Sequence, residues 1–573
     1  FGSQNLAAVF LHIMTSLWTL LQQLLLLNGC AAYATCALGS TDCILHVNVT
    51  GMSFDRTLQV VVAQGLANRA YGASVWVTGI GNFPGMHGME WFPGSCDSRW
   101  GNWSCEEESS GLNLRWLRTI ERDTGRRAVH TSAEALMRAI SPWVRGVALY
   151  SNQELHTLGA VLTMCGLEDL LPSSGSLPVP LKNLSIVFDA RGVFPDATAA
   201  ARYVGRSLLP RCNESVIAVQ AHTNFPFLAD LIVQSRLAAF WMPDMCKNAT
   251  QRAEWQWIIE SSRHFDASST VQYVGWFNNT GNRNPELLGE CTTQRRLVTI
   301  ASDWSESLSF LSQLPPILGH MKQVGDAVVE PGDYSSEKTY AAVIMSDGDN
   351  IAEDWSTLRP VLERRLKLKS KIPISWTVSN RWMTLGSSVL RYFYELAAQS
   401  DGYDSFLMGP SGFGYLFPGN MSRVADKHEF AHQTIKAAAA LDMEAYMHWD
   451  VDQAEDASSY QHTIEAVKLY TGSPIRGTFM LGSDSIPDLV GDVIVINKPV
   501  VPWGFRNASE AAASLNAAPR GTVTYIYQIM GSDPALIDQF AALLSPHVHL
   551  VGHRELLRIA RSKLTTSDSL LFV

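Results

Sequence analysis

Three aspartates lie directly after predicted strands in the second half of the chain, where their carboxyl groups could act together. Asp347 and Asp349 follow one β-branched, apolar run, and Asp450 follows another. Cleavage of a glycosidic bond needs two carboxyl groups, one acting as acid and the other as nucleophile or base. We predict that Asp450 pairs with Asp347 or Asp349, which lie roughly 6.5 Å apart at the backbone if that segment is extended. The alternative is that Asp347 and Asp349 cap the next helix or bind a structural cation.

Further polar and aromatic side chains follow the same set of strands. Carboxylates and amides can hydrogen-bond the hydroxyls of a sugar, and an aromatic ring can pack on the face of a pyranose. The loops that follow parallel strands converge at one edge of the sheet. We therefore predict substrate contacts for Asn350, Trp376, Asn380, Ser411, Gly412, Gly414, Tyr415, Trp449 and Asp484. The reserve carboxylates for the catalytic pair are Glu444, Asp452 and Asp484.

Two motifs give this region a family resemblance. SDGDN at 346–350 and GPSGFGYLFP at 409–418 resemble, in order and spacing, the SDGDN segment and the naming motif of the GxGYxYP family of putative glycoside hydrolases. ISWTVS at 374–379 resembles the family's strand between them. The second tyrosine of the naming motif is Phe417 here, so any role of that hydroxyl is in doubt while a packing role survives. The resemblance covers residues 335–562 and implies carbohydrate chemistry.

Strands and helices alternate regularly from Thr339 onwards. This rhythm indicates a mainly parallel sheet covered by helices. We expect a barrel-like (β/α) domain over 339–562, with an open α/β sheet as the alternative. The region 35–323 alternates less regularly, and we expect an N-terminal α/β region there, of one or two subdomains, that holds all the disulfides.

The first residues form a separate unit. The segment 6–27 is apolar and Leu-rich, and Ala32-Tyr33-Ala34 is an A-x-A cleavage signature. We therefore predict a signal peptide at 1–34. A retained membrane anchor is the alternative, because the apolar run is nearly long enough to span a bilayer.

Sequons and cysteines both favour the secretory pathway. Chance would give roughly three N-x-S/T triplets in such a chain, so a larger number indicates N-linked glycans. The predicted glycosylation sites are Asn48, Asn102, Asn183, Asn213, Asn248, Asn278, Asn420 and Asn507. An even set of cysteines, confined to the first half, predicts a disulfide framework. Its members are Cys36, Cys43, Cys96, Cys105, Cys165, Cys212, Cys246 and Cys291.

Several function classes are disfavoured. The net charge of -10 argues against a nucleic-acid partner, because phosphate binding needs a basic surface. His428-Glu429-Phe430-Ala431-His432 matches the zinc motif H-E-x-x-H, but a charged pair precedes it and the segment fits an outer, exposed helix. We predict no metal and no cofactor.

These observations lead to one expectation and one alternative. We expect a secreted, extracellular glycoprotein that hydrolyses a polysaccharide or glycan through paired carboxylates. The alternative is a non-catalytic glycan-binding or extracellular structural glycoprotein of the same fold. A carbohydrate is the expected partner, and a homo-oligomer or an extracellular assembly stays open.

Overall fold

A computed structural model describes residues 36–80, 111–175, 177, 181, 183–262, 270–276, 285–317, 319–324, 334–450, 457–481, 488–497, 499–501 and 504–570. Some predicted features lie outside these ranges: the signal segment, Cys96, Cys105, Asn102, Asn278, Asp452 and Asp484. None of the described helices combines the length and the apolar character needed to cross a bilayer.

The first half is built from short parallel strands that are linked by helices. The strands are β1 (Cys43–Asn48), β2 (Val75–Thr78), β3 (Arg127–His130), β4 (Gly146–Leu149), β5 (Leu170–Ser173), β6 (Ile186–Asp189), β7 (Val216–Gln220), β8 (Ala239–Phe240), β9 (Val271–Trp276) and β10 (Leu297–Ala301). The helices are α1 (Phe54–Tyr71), α2 (Leu112–Thr124), α3 (Ala133–Ile140), α4 (Leu158–Glu168), α5 (Ala197–Tyr203), α6 (Phe225–Ser235), α7 (Ala249–Ser261), α8 (Pro285–Gln294) and α9 (Leu308–Leu311).

These strands form three separate parallel sheets, with orders β2-β1-β3, β5-β4-β6 and β10-β9-β7-β8. Parallel neighbours need crossover connections, and the helices supply them. Helices α1 and α6 approach each other closely, since a Cβ on Gly65 would lie 2.4 Å from the carbonyl oxygen of Asp230. The expected α/β character of this half is confirmed.

The second half repeats the strand–helix alternation. Its strands are β11 (Thr339–Ser346), β12 (Ile374–Val378), β13 (Asp404–Met408), β14 (Ala445–His448), β15 (Gly477–Met480), β16 (Leu489–Val490), β17 (Val493–Ile496), β18 (Pro499–Val501), β19 (Val523–Ile529) and β20 (Val548–Leu550). Its helices are α10 (Ile351–Glu353), α11 (Arg359–Leu368), α12 (Trp382–Leu385), α13 (Ser387–Ala398), α14 (Val424–Leu441), α15 (Ala457–Lys468), α16 (Ala508–Asn516), α17 (Pro534–Ala542) and α18 (His553–Leu570).

All ten strands belong to one sheet of order β16-β17-β15-β14-β13-β12-β11-β19-β18, with β20 paired to the start of β11. Every pairing is parallel except that of β16 with β17. Within the described residues β16 and β18 do not pair with each other, so the sheet is not closed by hydrogen bonds. The predicted barrel is therefore not confirmed, and the parallel α/β sheet is.

Each face of this sheet has its own apolar core. Along β11 the side chains of Tyr340, Ala342 and Ile344 belong to one buried cluster, and the alternate residues belong to another, as the pleat requires. We call the first the inner cluster. It contains aromatic residues of β19 and apolar residues of helix α18, so that helix covers the face.

Two local predictions are corrected. The Pro/Ser-rich composition of Leu170–Pro180 predicts a loop, but Leu170–Ser173 forms β5, paired with β4. As β5 is an edge strand, it tolerates Pro172. The spacing and charge of Trp355–Leu368 predict a helix over those residues, but helical structure begins earlier, at Ile351, because the Asn350 side chain accepts a hydrogen bond from the Ala352 backbone at 2.8 Å and caps it.

Four of the predicted cysteines form two disulfides, Cys36–Cys43 and Cys246–Cys291. The expectation that Cys165 and Cys212 are also paired is wrong, because both are free, buried thiols. The Cys212 thiol donates a hydrogen bond to the Leu208 carbonyl at 3.3 Å.

Most of the described sequon asparagines are accessible. Asn420 is half-buried. The exposed ones are Asn48, Asn183, Asn213, Asn248 and Asn507. Attachment of glycans to them stays a prediction.

Removing the Cys246–Cys291 disulfide is expected to cost more stability than removing Cys36–Cys43. The two cysteines are 45 residues apart in the first case and 7 in the second. Loop-closure entropy then predicts losses of about 4 and about 2 kcal/mol in the free energy of unfolding. Urea denaturation of the two double Cys→Ala variants measures both, and equal losses would contradict the loop argument.

Candidate active site

The SDGDN segment forms a tight turn at the end of β11. Asp347 has a φ of 86°, and the backbone N–H of Asn350 donates to the Asp347 carbonyl at 3.3 Å. The segment is therefore not extended as the sequence spacing assumed. A left-handed conformation at a residue other than glycine is uncommon and is found at functional sites.

Glycines let this turn sit against the ends of the next two strands. The Gly348 N–H donates to the Thr377 hydroxyl at 2.9 Å, and a Cβ on Gly348 would lie 2.0 Å from the Thr377 carbonyl oxygen. A Cβ on Gly409 would lie 2.5 Å from the backbone nitrogen of Asp349. The two sequence motifs are thus in direct contact at the carboxyl ends of β11, β12 and β13.

Asp349 is at the centre of a group of carboxyl groups. Burial raises the pKa of Asp349 well above its ordinary value, and the charges of Asp347, Asp354 and Glu353 raise it further. The side chain remains partly accessible. Within the described residues no side chain donates a hydrogen bond to its carboxyl group, so no side-chain hydrogen bond opposes this upward shift of the pKa.

The next two acids along the chain differ in their surroundings. Glu353 is half-buried, and its carboxylate accepts a hydrogen bond from the Thr357 hydroxyl at 2.6 Å. Burial and then the Asp347 charge raise its pKa to about 7. Asp354 is fully buried and accepts hydrogen bonds from the Ser379 N–H at 2.9 Å and the Trp382 indole at 3.0 Å. Asp354 therefore has a structural role.

The first half of the chain contributes a fifth carboxyl group. Asp303 follows β10 and has a side-chain oxygen 3.5 Å from the Asn350 amide nitrogen. Its carbonyl accepts a hydrogen bond from the Gln220 amide at 2.7 Å, which fixes the loop. Burial and the charge of Glu353 raise the pKa of Asp303 to about 7. No motif points to Asp303 or Glu353 in the sequence; their only signals are a carboxylate just after a strand for Asp303 and an acid four residues beyond Asp349 for Glu353.

Asp450 has a different set of partners from Asp347 and Asp349. Its carboxylate accepts hydrogen bonds from the Gly419 N–H and from the His448 imidazole, both at 2.6 Å. The other imidazole nitrogen lies 3.1 Å from the hydroxyl of Tyr446, whose side chain is on the face of the sheet opposite the inner cluster. The charges that contribute most to the raised pKa of Asp349 are those of Asp347, Asp354 and Glu353, not that of Asp450. Asp450 therefore has hydrogen-bonding partners of its own, and its pairing with Asp347 or Asp349 stays a prediction.

The GxGY segment joins the two halves of the molecule. Tyr415 and Thr299 exchange two backbone hydrogen bonds, at 3.0 and 3.2 Å, and so form an antiparallel bridge to β10. A Cβ on Gly414 would lie 2.7 Å from the Thr299 carbonyl oxygen and 2.8 Å from a methyl group of Val298. The second glycine of the motif therefore permits contact between the halves.

The aromatic residues of this motif are buried in the same contact. Tyr415 is 6% exposed and Phe417 is 0% exposed, and both rings belong to the inner cluster. A Cβ on Gly289 of α8 would lie 2.5 Å from the Phe417 ring and 2.7 Å from the Tyr415 ring. The Tyr415 ring also lies 5.4 Å from that of Trp276. Phe417, which has no hydroxyl group, thus packs in the inner cluster.

Other predicted substrate contacts hold this loop in place. Asn380 is buried and donates its amide to the Gly412 carbonyl at 2.8 Å. Ser411 is buried and donates its hydroxyl to the Leu416 carbonyl at 2.8 Å, while accepting from the Trp449 N–H at 3.0 Å. Asn380 and Ser411 thus hold the motif loop through buried hydrogen bonds and have little exposed surface.

The predicted tryptophan platforms are also interior. Trp376 is 0% exposed, and its indole donates to Asp404 at 2.8 Å, at the opposite end of the strands. Trp449 is buried in the inner cluster, with its ring 6.0 Å from that of Tyr527. Of the predicted contacts, Asn350 alone among the described residues both adjoins Asp349 and keeps partial exposure.

The zinc-like motif lies on helix α14. His428 and His432 are exposed on that helix, as expected for an outer face. Within the described part of the chain no three histidine, cysteine or acidic side chains are grouped as metal ligands would be. The absence of a metal stays a prediction.

Gly414→Ala is expected to loosen the contact between the two halves. The added methyl group collides with backbone at Thr299, and overpacking of this kind costs about 1–3 kcal/mol. Thermal denaturation of the full chain measures the loss. Gly319→Ala is the matched control, because nothing lies within 4 Å of that position. Equal melting temperatures for both variants would contradict the docking role of Gly414.

The raised pKa values predict a loss of stability with rising pH. Burial raises the pKa of Asp230 to about 6, that of Asp303 to about 7 and that of Glu306 to about 8. The contribution of each neutral carboxyl group to folding stability is fully present below the pKa of the unfolded state, and it is lost as pH rises through the pKa of the folded state. The free energy of unfolding should therefore fall between about pH 4 and pH 8, by at most ~1.4 kcal/mol per pH unit per group.

Urea denaturation across this pH range tests the sign. Glu306→Gln should flatten the upper part of the curve, because the amide cannot ionise. Glu337→Gln is the control, since the Glu337 side chain is 74% exposed. A slope between pH 6 and pH 8 that Glu306→Gln leaves unchanged would refute the assignment.

Comparisons with known proteins place this geometry in context. Residues 337–548 match the family model described as GxGYxYP putative glycoside hydrolase C-terminal domain. A search of curated proteins gives no match. Among solved structures, a putative hydrolase from Bacteroides thetaiotaomicron VPI-5482 aligns with a TM-score of 0.71 at 17% identity, covering 93% of this chain and 98% of its own. At that identity the likeness shows a shared fold.

A second solved structure, 4-alpha-glucanotransferase from Thermococcus litoralis, is far less similar. Its TM-score is 0.26 at 12% identity, over 38% of this chain and 40% of its own, so it supports no conclusion. The resemblance predicted from the two motifs is confirmed: residues 337–548 match the GxGYxYP putative glycoside hydrolase C-terminal domain.

Proposed function

We propose that this protein is a glycoside hydrolase that cleaves a polysaccharide or glycan with carboxyl groups of the turn at 346–350. The family match supports the reaction class. The observation that carries the proposal is Asp349, a partly accessible carboxyl group whose pKa is raised by burial and by the adjacent Asp347. A neutral acid beside a second carboxylate is what glycosidic cleavage needs.

Asp349 acts as the general acid. A general acid must hold its proton at the working pH and release it to the glycosidic oxygen as the bond breaks. Desolvation disfavours the charged form of Asp349, and three neighbouring acids add to that effect. The absence of a described side-chain donor to this carboxyl group leaves its proton available for transfer.

Asp347 supplies the second carboxylate, as nucleophile or general base. Its left-handed backbone turns it out of the direction of β11 beside Asp349. The Tyr527 phenol lies close enough for Asp347 and Asp349 to raise its pKa, after burial, well above the ordinary value. Tyr527 therefore stays protonated and can donate a hydrogen bond toward the pair.

Asp303 and Asn350 position substrate at the border of the two halves. The Asn350 side-chain oxygen caps helix α10, which leaves its amide nitrogen facing Asp303 at 3.5 Å. Amide and carboxyl groups in this arrangement can accept and donate hydrogen bonds to sugar hydroxyls. The proposed site is thus formed from both halves of the chain.

We also propose that the protein is a secreted, N-glycosylated protein. The two disulfides are of the kind that persists in oxidising compartments. The exposure of Asn48, Asn213 and Asn248 is compatible with glycan attachment.

Asp349→Asn is expected to lower kcat by about 10²–10⁴-fold, because the amide cannot donate the proton. A panel of polysaccharides and glycans, with reducing-end release as the readout, identifies the substrate first. Asp347→Asn should cause a comparable loss. Asp442→Asn is the control, as that side chain is 38% exposed and pairs with Arg554.

Asp450→Asn separates this proposal from the pairing predicted from the sequence. Because the Asp450 carboxylate accepts hydrogen bonds from Gly419 and His448, Asp450→Asn should mainly lower the free energy of unfolding, with a smaller loss of kcat than that of Asp349→Asn.

Wild-type turnover by Asp349→Asn, or no hydrolysis of any member of the panel by the wild type, would refute the proposed function.

A further inference from the structure

An arginine-lined cavity of about 510 Å³ lies away from the carboxyl groups described above. Its charged lining residues are Glu444, Arg476, Arg554, Arg558 and Arg561. Glu444 precedes β14 and Arg476 precedes β15, whereas Asp347 follows β11. Because these strands are parallel, the cavity lies at the amino ends of the strands and the carboxyl groups lie at their carboxyl ends. We call it the arginine cavity.

Three of the arginines form a stripe on one helix. Arg554, Arg558 and Arg561 are spaced i, i+4 and i+7 on α18, so their side chains project from the same face. Like charges at this spacing destabilise an isolated helix. The protein as a whole has a net charge of -10, so this cluster of positive charge differs in sign from the chain as a whole.

Two of the four guanidinium groups have carboxylate partners. Arg554 lies 3.4 Å from Asp442, and Arg558 pairs with Glu555. Arg561 donates to the neutral backbone carbonyl of Asp492. Arg476 is exposed, and among the described residues its guanidinium has no hydrogen-bonded or ionic partner. Two positive charges in the cavity therefore lack a carboxylate partner in the described part of the chain.

We propose that the arginine cavity binds a ligand that carries clustered oxyanions, sulfate or phosphate groups. A guanidinium presents a planar fork of donors that matches such groups in a bidentate manner. The lining has four arginines against one glutamate, and a concave surface with such an excess of positive charge concentrates the field acting on an anion. Arg476, which precedes β15, and Arg561, on α18, are the two guanidinium groups of the lining that an oxyanion would neutralise. The site is independent of the proposed hydrolase activity.

Binding to the full-length chain by isothermal titration calorimetry tests this site. The probes are a sulfated tetrasaccharide, tripolyphosphate and an uncharged tetrasaccharide, each at 50 and 200 mM NaCl. We expect the two anions to bind, with affinity falling at the higher salt, and we expect the neutral sugar not to bind this site. A response to only one of the anions identifies which oxyanion source the cavity prefers.

The double variant Arg476→Ala/Arg561→Ala should weaken anion binding at least 10-fold. The matched control is Arg191→Ala/Arg520→Ala, which removes the same charge from exposed positions elsewhere. Asp349→Asn should bind the anions as the wild type does, which separates this site from the proposed active site. The proposal is overturned if neither anion binds, or if both double variants bind equally well.

Discussion

The backbone bridge between Thr299 and Tyr415 is the contact on which the rest of the structure depends. It joins the edge strand of a four-stranded sheet in the first half to the motif loop of the second half. Gly414 makes the approach possible, and the rings of Tyr415 and Phe417 fill the space beside it. Since the same loop begins at Gly409, which abuts Asp349, the position of the carboxyl groups is tied to the packing of the two halves.

Burying several acids at this junction has an energetic cost that the fold limits in two ways. Neutralisation is the first, because Asp303, Asp349 and Glu353 all have raised pKa values and so avoid burying full charges. Hydrogen bonding is the second, as at Asp354, where backbone and indole donors satisfy one oxygen. Asp354 combines the two, since its pKa is also raised well above the ordinary value, whereas Asp349 has no side-chain hydrogen-bond donor among the described residues.

The sequence predicted the elements of the second half better than the roles of its residues. The β-branched run at Thr339 and the order of the motifs led to the parallel sheet and to the family match, because these depend on local pattern. The assignment of Trp376 and Asp450 to a ligand was based only on their position after or within strands. Which face a side chain points to depends on tertiary partners such as Asp404 and Gly419, which no local pattern encodes.

Asp303 is a residue whose role a sequence pattern does not indicate. Its residue type after a strand is ordinary, and its significance comes from being 3.5 Å from the amide of Asn350, 47 residues later in the chain. That proximity requires β10 to pair with the GxGY loop, so it follows from docking and not from sequence spacing. The arginine cavity at the amino ends of the strands also depends on tertiary packing, because the arginines of α18 lie near Arg476 only when that helix packs on the sheet. Acids of raised pKa thus lie at the carboxyl ends of the strands and guanidinium groups at their amino ends, and each set combines residues that lie far apart in the chain.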